Sequence, residues 1–211
     1  MKPLLGDEDW KMRWTAASAV GSIFRESCNR EVAEALSPLI KDRHRRVRWA
    51  VAKAFASLFH GSGSFEALKY LEPLMGDDEL NVRYTLHQSI CEVFRGSGTE
   101  SEALKRLKRF LKNRDWRVRE TAIYAIGNIF KGTNSREVLK ALKPLVEDKF
   151  EEVRGAVADS LGWVFEGSGD REALELIGKI AERVMKGDYD DAYIITDLIR
   201  AADQIKNKSK P

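Results

Sequence analysis

The sequence predicts an all-α solenoid, in which copies of one two-helix repeat stack along the chain. The first observation is a period: an apolar residue followed by arginine occurs five times, with the arginines 35, 35, 36 and 35 residues apart. These pairs are Met12-Arg13, Val47-Arg48, Val82-Arg83, Val118-Arg119 and Val153-Arg154. The second observation is that other columns keep this register. Six residues before the arginine stand Asp7, Asp42, Asp77, Asn113 and Asp148, and eleven residues after it stands a phenylalanine in every copy.

Each repeat should contain two helices. Apolar residues recur at steps of three and four from Val47 to Leu58, which predicts a helix with one buried face. Gly61 follows this run and is a typical helix stop. A similar run from Ala67 to Met75 predicts the first helix of the next repeat. Neither helix can bury its apolar face alone, so neighbouring repeats must stack.

The register predicts one solenoid over residues 1–211. Its repeats lie at approximately 1–28, 29–63, 64–98, 99–134 and 135–169, followed by a capping helix pair at 170–206. Proline falls late in three of the first helices and should bend them, at Pro38, Pro73 and Pro144. The fourth copy has Arg109 at this position, and its first helix should be straighter.

The two ends differ from the repeats between them. Pro3 aligns with Pro38, so the chain opens near the end of a first helix and should expose apolar surface at that edge. We expect this N-terminal edge to be completed by self-association or by another chain, or the sequence to belong to a longer array. At the other end, residues 188–191 should supply the N-cap of a final helix, and residues 207–211 should fray.

These columns resemble the HEAT repeat family, and the repeat length is similar to its phycobilin-lyase-type variant. The resemblance covers residues 3–170 and includes a column of small residues beside the arginines, at Gly21, Ala56, Cys91, Gly127 and Gly162. It implies an α-solenoid wound as a right-handed superhelix. It also implies a structural ladder of aspartates and arginines between successive repeats, formed by Asp7, Arg13, Asp42, Arg48, Asp77, Arg83, Asn113, Arg119, Asp148 and Arg154. Asn113 departs from the pattern and should weaken one rung.

A stripe of variable residues lies one helical step from the ladder. In HEAT-like solenoids the second helices line the concave surface, so the resemblance implies that this stripe faces a groove. The stripe carries five large aromatic residues, which are Trp14, Trp49, Tyr84, Tyr124 and Trp163. Basic residues accompany them at Arg25, Lys53, Arg95 and Lys131. Aromatic residues often anchor interfaces. The alternative is that these rings pack over the small residues of the adjacent helix or stack on the ladder arginines.

Composition argues against several other classes of protein. The net charge of +3 is low for a protein that binds duplex DNA. The sequence has no run of about 18 apolar residues that would predict a membrane span. The sequence also begins without the apolar stretch of a signal peptide, so we expect a cytoplasmic protein. Cys28 and Cys91 lie in different repeats, and His44, His60 and His87 lack metal-ligand spacing. We therefore expect neither a disulfide framework, nor a metal site, nor a cofactor.

The sequence favours a non-catalytic scaffold that binds a segment of another protein on the aromatic stripe, with acidic flanks of that segment facing the basic residues. The alternative is a nucleic-acid-binding protein. One such protein would be an enzyme that resembles the HEAT-like glycosylases of alkylated DNA, with Glu120 and Asp159 as candidate carboxylates. The basic turns at 42–46 and 113–117 could follow a phosphate backbone. They could equally form ion pairs with neighbouring acidic turns, which we favour.

Overall fold

The computed structural model describes residues 2–186 and 192–207, and the described residues form helices and turns without a strand. The helices are α1 (Lys2–Leu5), α2 (Trp10–Ile23), α3 (Arg30–Leu36), α4 (Arg45–Leu58), α5 (Phe65–Leu71), α6 (Leu80–Phe94), α7 (Glu100–Leu107), α8 (Trp116–Ile129), α9 (Arg136–Leu142), α10 (Glu151–Val164), α11 (Arg171–Lys186) and α12 (Ala192–Lys206). The all-α prediction is confirmed. The predicted N-cap at 188–191 lies outside the described residues.

Short 3-10 segments follow four of the first helices, at Ser37–Lys41, Glu72–Leu74, Phe110–Lys112 and Lys143–Glu147. Three of these segments contain the predicted prolines. The fourth follows α7, where Arg109 replaces proline. The straighter helix expected there stays a prediction. The last turn tightens in each case because the chain must reverse within a few residues to begin the second helix. This geometry needs no proline.

The chain divides into two compact units, residues 1–103 and residues 104–211. The single solenoid and its repeat boundaries stay a prediction. In unit 1 the second helices α2, α4 and α6 pack side by side, and α3 and α5 pack against them. The predicted stripe from Val47 to Leu58 is buried, and Phe55 and Phe59 are among the largest fully buried side chains. The apolar core of unit 1 therefore lies between the two layers of helices.

Unit 2 has the same arrangement, with α8, α10 and α12 side by side. Two equivalent backbone hydrogen bonds show that α12 takes the place of a second helix. The N–H of Gly132 donates to the carbonyl of Trp163, 31 residues later, and the N–H of Gly167 donates to Gln204, 37 residues later. The helix α12 therefore completes a sixth repeat that is six residues longer than the others.

The small-residue column lets these helices approach closely. A Cβ atom added to Gly21 would lie 2.7 Å from the Cα of Ala54 on the next helix, and one added to Gly127 would lie 2.7 Å from the Cβ of Ser160. These distances are shorter than ordinary van der Waals contact. Glycine at these positions is therefore required by packing, since backbone meets backbone at the crossing of two second helices.

Candidate functional site

The ladder sets the register of the second helices. In unit 1, Arg13 donates from Nε and Nη2 to the carboxylate of Asp42, at 2.6 and 2.9 Å. Arg48 binds Asp77 in the same bidentate way at 2.6 and 2.8 Å. In unit 2, Arg119 binds Asp148 at 2.8 and 2.7 Å. The Nη1 of each arginine also donates to the backbone of its own turn, so one guanidinium connects two repeats.

Burial and hydrogen bonding have opposite effects on the ladder carboxylates. Burial would raise the pKa of Asp42, but the hydrogen bonds from Arg13 and from the N–H of His44 more than offset it. The pKa of Asp42 therefore lies below its ordinary value. The same balance, with Arg48 as the main partner, lowers the pKa of Asp77. Both residues are carboxylates at neutral pH, and their role is to hold the repeats in register.

The residue after each ladder arginine lies about 100° further round the helix, and in unit 1 it reaches a common groove. Trp14, Trp49 and Tyr84 come from α2, α4 and α6, and together they line this groove, whose volume is about 870 Å³. Trp14 is 37% and Tyr84 is 56% exposed. The remaining lining residues are Trp10, Lys11, Thr15, Arg45, Arg46, Lys53, Glu79, Asn81, Val82, Thr85 and Gln88.

Cationic side chains stack on the tryptophans of the groove. The Nζ of Lys53 lies 5.0 Å from the centre of the Trp49 ring, and the Cζ of Arg46 lies 5.5 Å from the centre of the Trp10 ring. The imidazole of His44 also stacks on Trp10, with ring centres 3.8 Å apart and planes within 5°. These contacts hold the rings in defined orientations before any ligand arrives.

The groove has more cationic side chains than carboxylates that pair with them. Arg45 pairs with Glu79 at 3.1 Å across two repeats. In the described part of the chain, no carboxylate forms an ion pair with Lys11, Arg46 or Lys53. Burial lowers the pKa of the neighbouring His87 to about 4, so its imidazole adds no charge near neutral pH. The groove is therefore aromatic along its floor and positive at its walls.

Unit 2 uses the corresponding columns differently. The positions that match Trp49 and Tyr84 hold Glu120 and Gly155, and both are buried. Tyr124 and Trp163 contact each other with ring centres 5.7 Å apart. The Tyr124 hydroxyl donates to Asp159 at 3.3 Å. These two aromatic residues, which the sequence places in the binding stripe, therefore make contacts inside unit 2, and their part in binding stays a prediction.

The hydrogen bond from Tyr124 continues to α12. Arg200 donates from Nη2 to the other oxygen of Asp159 at 2.9 Å. Burial raises the pKa of Tyr124 and, despite Arg200, that of Asp159. The chain from Tyr124 through Asp159 to Arg200 thus links α8, α10 and α12. Asp159, a candidate carboxylate of the glycosylase alternative, is here engaged by two partners of the fold.

The predicted basic residues at the helix ends lie away from the groove lining. Arg25 pairs with Glu26 at 3.1 Å, and the Nζ of Lys131 lies 3.9 Å from Glu166. Arg95 is the C-cap of α6 and is exposed. Of the predicted basic stripe, Lys53 lines the groove. A role for the other three in binding stays a prediction.

The binding stripe predicted from the sequence does not include the residues at the N-terminal ends of the second helices. Arg45 and Arg46 belong to the basic turn at 42–46, but the sequence does not predict them as groove residues. Trp10, Lys11, Arg45 and Arg46 precede the ladder arginine by two or three positions, and all four line the groove. A signal was available, because tryptophan recurs at the same position in Trp116. That ring also stacks on the next repeat, with its centre 5.9 Å from that of Phe150.

Comparison with known proteins agrees with this architecture. The family model described as HEAT repeats matches residues 1–91 and 105–183 of the chain. The chain belongs to the HEAT repeat family. A comparison with curated proteins gave no significant match. The resemblance that the sequence columns predict is confirmed by the family match.

Several solved structures are similar to this chain. The MAST/Orbit N-terminal domain is similar, with a TM-score of 0.64 and 18% identity over 97% of this chain and 96% of that one. A designed armadillo repeat protein in complex with the peptide (KR)4 has a TM-score of 0.48 and 19% identity, over 97% of both chains. An engineered protein has a TM-score of 0.46 and 20% identity, over 97% of this chain and 94% of that one. At 18% identity, the similarity to the MAST/Orbit N-terminal domain concerns the fold alone.

Within residues 2–186 and 192–207, no helix has both the length and the apolar character needed to cross a membrane. Across the same ranges, no group of His, Cys, Asp and Glu side chains is arranged to hold a metal ion.

Proposed function

We propose that this HEAT repeat protein is a non-catalytic interaction module, and that the groove of unit 1 holds an extended acidic segment of a partner protein. The observation that carries this proposal is the row of Trp14, Trp49 and Tyr84 beneath unneutralised cations. Large aromatic surfaces supply most of the affinity at protein interfaces, and charge complementarity supplies selectivity. Because Lys53 already orients the Trp49 ring and Arg46 orients the neighbouring Trp10 ring, these two rings lose little conformational entropy on binding.

The spacing of the second helices predicts the form of the segment. Packed helices lie about 8–10 Å apart, and an extended chain rises about 3.3 Å per residue. One aromatic residue per helix therefore meets roughly every third residue of an extended peptide. Apolar anchors at positions i, i+3 and i+6 would contact Trp14, Trp49 and Tyr84. Aspartate or glutamate between the anchors would face Lys11, Arg46 and Lys53.

The test is selection from a displayed library of random twelve-residue peptides, with the full chain immobilised. Wild-type protein is expected to enrich acidic peptides with apolar residues three apart. The Trp49→Ala and Tyr84→Ala variants are expected to lose this enrichment. Met185→Ala is the matched control, because Met185 is an exposed apolar residue of unit 2. Circular dichroism of each variant checks that it remains folded. Equal enrichment by wild type and Trp49→Ala would remove the proposal.

Nucleic acid is the competing ligand, because guanidinium and tryptophan faces also stack on bases. A fluorescent single-stranded oligonucleotide titrated into the protein distinguishes the two. Affinity that falls steeply as salt rises, and that the selected peptides cannot compete, would favour nucleic acid. Release of bases from alkylated duplex DNA would favour the glycosylase alternative.

A second surface suits association with another chain. Met12 and Ile23 on α2 are 41% and 64% exposed, whereas the matching Val47 and Leu58 on α4 are fully buried. Neighbouring helices cover these positions in α4. On α2 the same positions form an exposed apolar face. We propose that another apolar helix covers this face. Sedimentation of wild type against Met12→Glu/Ile23→Glu tests self-association, and unchanged monomeric mass for both would exclude it.

A further inference from the structure

A second pocket opens at the turn that precedes α4, and it shares residues with the groove. Its volume is about 500 Å³, and it is lined by Trp10, His44 and four arginines, which are Arg43, Arg45, Arg46 and Arg48. Trp10, Arg45 and Arg46 also line the groove. A ligand that lies in the groove can therefore place one side chain in this pocket, which we call the arginine pocket.

Ion pairs between repeats neutralise only half of these arginines. Arg45 pairs with Glu79, and Arg48 pairs with both Asp77 and Asp78, at 2.6 and 3.0 Å. These pairs also occupy the two carboxylates that line the pocket, Asp78 and Glu79. The acidic turn of the following repeat therefore explains two of the four arginines. It does not explain the other two.

Arg43 and Arg46 are the two that remain. Both are exposed, and within the described residues neither forms an ion pair with a carboxylate. Arg43 has a weak contact with the backbone carbonyl of Glu8, at 3.5 Å. Arg46 lies over the Trp10 ring, and the His44 imidazole also stacks on that ring. The pocket thus combines two unpaired guanidinium groups with a rigid aromatic wall.

We propose that the arginine pocket binds the phosphate of a phosphoserine or phosphothreonine in the segment that occupies the groove. This inference rests on the proposed function of that groove. A phosphate monoester carries a charge of about −1.5 to −2 near pH 7 and has three strong acceptor oxygens. Guanidinium groups match these oxygens with pairs of parallel N–H donors. Two free arginines therefore suit one phosphate better than one carboxylate.

The local structure orients the pocket for this task. His44 is the N-cap of α4, and its Nδ1 accepts a hydrogen bond from the N–H of Arg46 at 3.3 Å. In the neutral ring the proton is therefore on Nε2, which can act as a donor. The turn is tied to the ladder as well, because Asp42 accepts the N–H of His44 at 2.8 Å. The arginines thus project from a fixed turn.

Three pools of an acidic twelve-residue peptide test the proposal on the full chain, with apolar anchors three apart and phosphoserine, serine or glutamate at the centre. Fluorescence anisotropy is expected to show that the phosphoserine pool binds about tenfold or more tightly than the other two, since one charge-assisted hydrogen bond corresponds to such a factor. The variant Arg43→Gln should lose this preference while still binding the serine pool as wild type does, because Arg43 lines only the arginine pocket. The variant Arg46→Gln should also lose the preference, and it should bind the serine pool more weakly, because Arg46 lines the groove as well.

Arg117→Gln is the matched control. Arg117 has the same position in its repeat as Arg46 and lies 5.1 Å from the centre of the Trp116 ring, but it lies 3.5 Å from Asp115. This variant should retain the preference. Nε–H signals of Arg43 and Arg46 in nuclear magnetic resonance spectra should also shift when the phosphoserine pool is added.

The outcomes separate the two proposals. Equal affinity for the phosphoserine and glutamate pools overturns the arginine pocket and leaves the groove proposal intact. Absence of binding by all three pools removes both. Loss of preference in Arg117→Gln as well would show a general charge effect and overturn the pocket. Tighter binding of a single-stranded oligonucleotide, lost in Arg43→Gln and Arg46→Gln, would assign the arginines to nucleic acid.

Discussion

The rung between Arg13 and Asp42 should contribute stability that depends on pH. Its side chains are 9% and 6% exposed, and the two hydrogen bonds that join them measure 2.6 and 2.9 Å. Asp42→Asn keeps the shape and one acceptor oxygen for the N–H of His44, but it removes the charge. Hydrogen bonds to charged groups contribute about 1.5–3 kcal/mol. We expect the variant to be destabilised by about that amount at pH 7.

The sign of the pH dependence follows from the lowered pKa of Asp42. Its ordinary value is about 4, and the folded-state value lies below it. The stabilisation is therefore complete above about pH 4 and is lost as the pH falls through the folded-state pKa. Wild type should approach Asp42→Asn in stability as the acid form of Asp42 becomes populated.

Hydrogen exchange of the α2 and α4 amides, together with urea unfolding at pH 7 and pH 3, measures this difference. Exchange reports the opening of one region, which matters in a repeat protein whose parts unfold separately. Asp78→Asn is the control, since Asp78 is 84% exposed and its pair with Arg48 should contribute less than about 1 kcal/mol. A destabilisation of Asp42→Asn that is equal at both pH values would refute the role of charge.

Three further predictions concern the packing of the second helices. Gly21→Ala should destabilise unit 1 by about 1–3 kcal/mol, because the new Cβ atom would clash with Ala54. Gly155→Ala should stabilise unit 2 by about 0.5–1 kcal/mol, because the new Cβ atom would have no atom within 4 Å outside its own helix backbone. Thermal unfolding of the two variants checks both signs. Arg200→Ala should destabilise the docking of α12 by about 1–3 kcal/mol, because it leaves the buried Asp159 without its cation. Faster hydrogen exchange in α12 would show this, and unchanged exchange would contradict it.

Most of the fold could be predicted because its determinants repeat in the sequence. The column of Arg13 and Arg48 fixes the register, and the apolar steps from Val47 to Leu58 fix the buried face. These signals are local, with a period that survives any variation in the loops. The place of α12 as a further second helix could not be predicted, because six additional residues shift it out of register and its ladder position holds Ile195.

The candidate site could be predicted only in part, because the walls of the groove come from a column that does not repeat. Trp14, Trp49 and Tyr84 share one position and were visible once the register was known. Arg46 and Lys11 share another, but the next repeat has asparagine there. Whether such a residue lines the groove depends on the pairing of its neighbours. Ion pairs like that of Arg45 with Glu79 join residues 34 apart and cannot be deduced from composition.

One repeat architecture thus gives two different surfaces. In unit 1, the position five residues after the ladder arginine holds Lys53, which lies on Trp49 at the edge of an open groove. In unit 2, the same position holds Tyr124, Asp159 and Arg200, which bond to one another along α8, α10 and α12. Because these three residues of unit 2 bond to one another, substitution of any of them should change the stability of unit 2 but not the affinity of the groove. Substitution of Lys53 should change affinity with little effect on stability, because Lys53 is exposed and, among the described residues, its ammonium group lies on the Trp49 ring without pairing with a carboxylate.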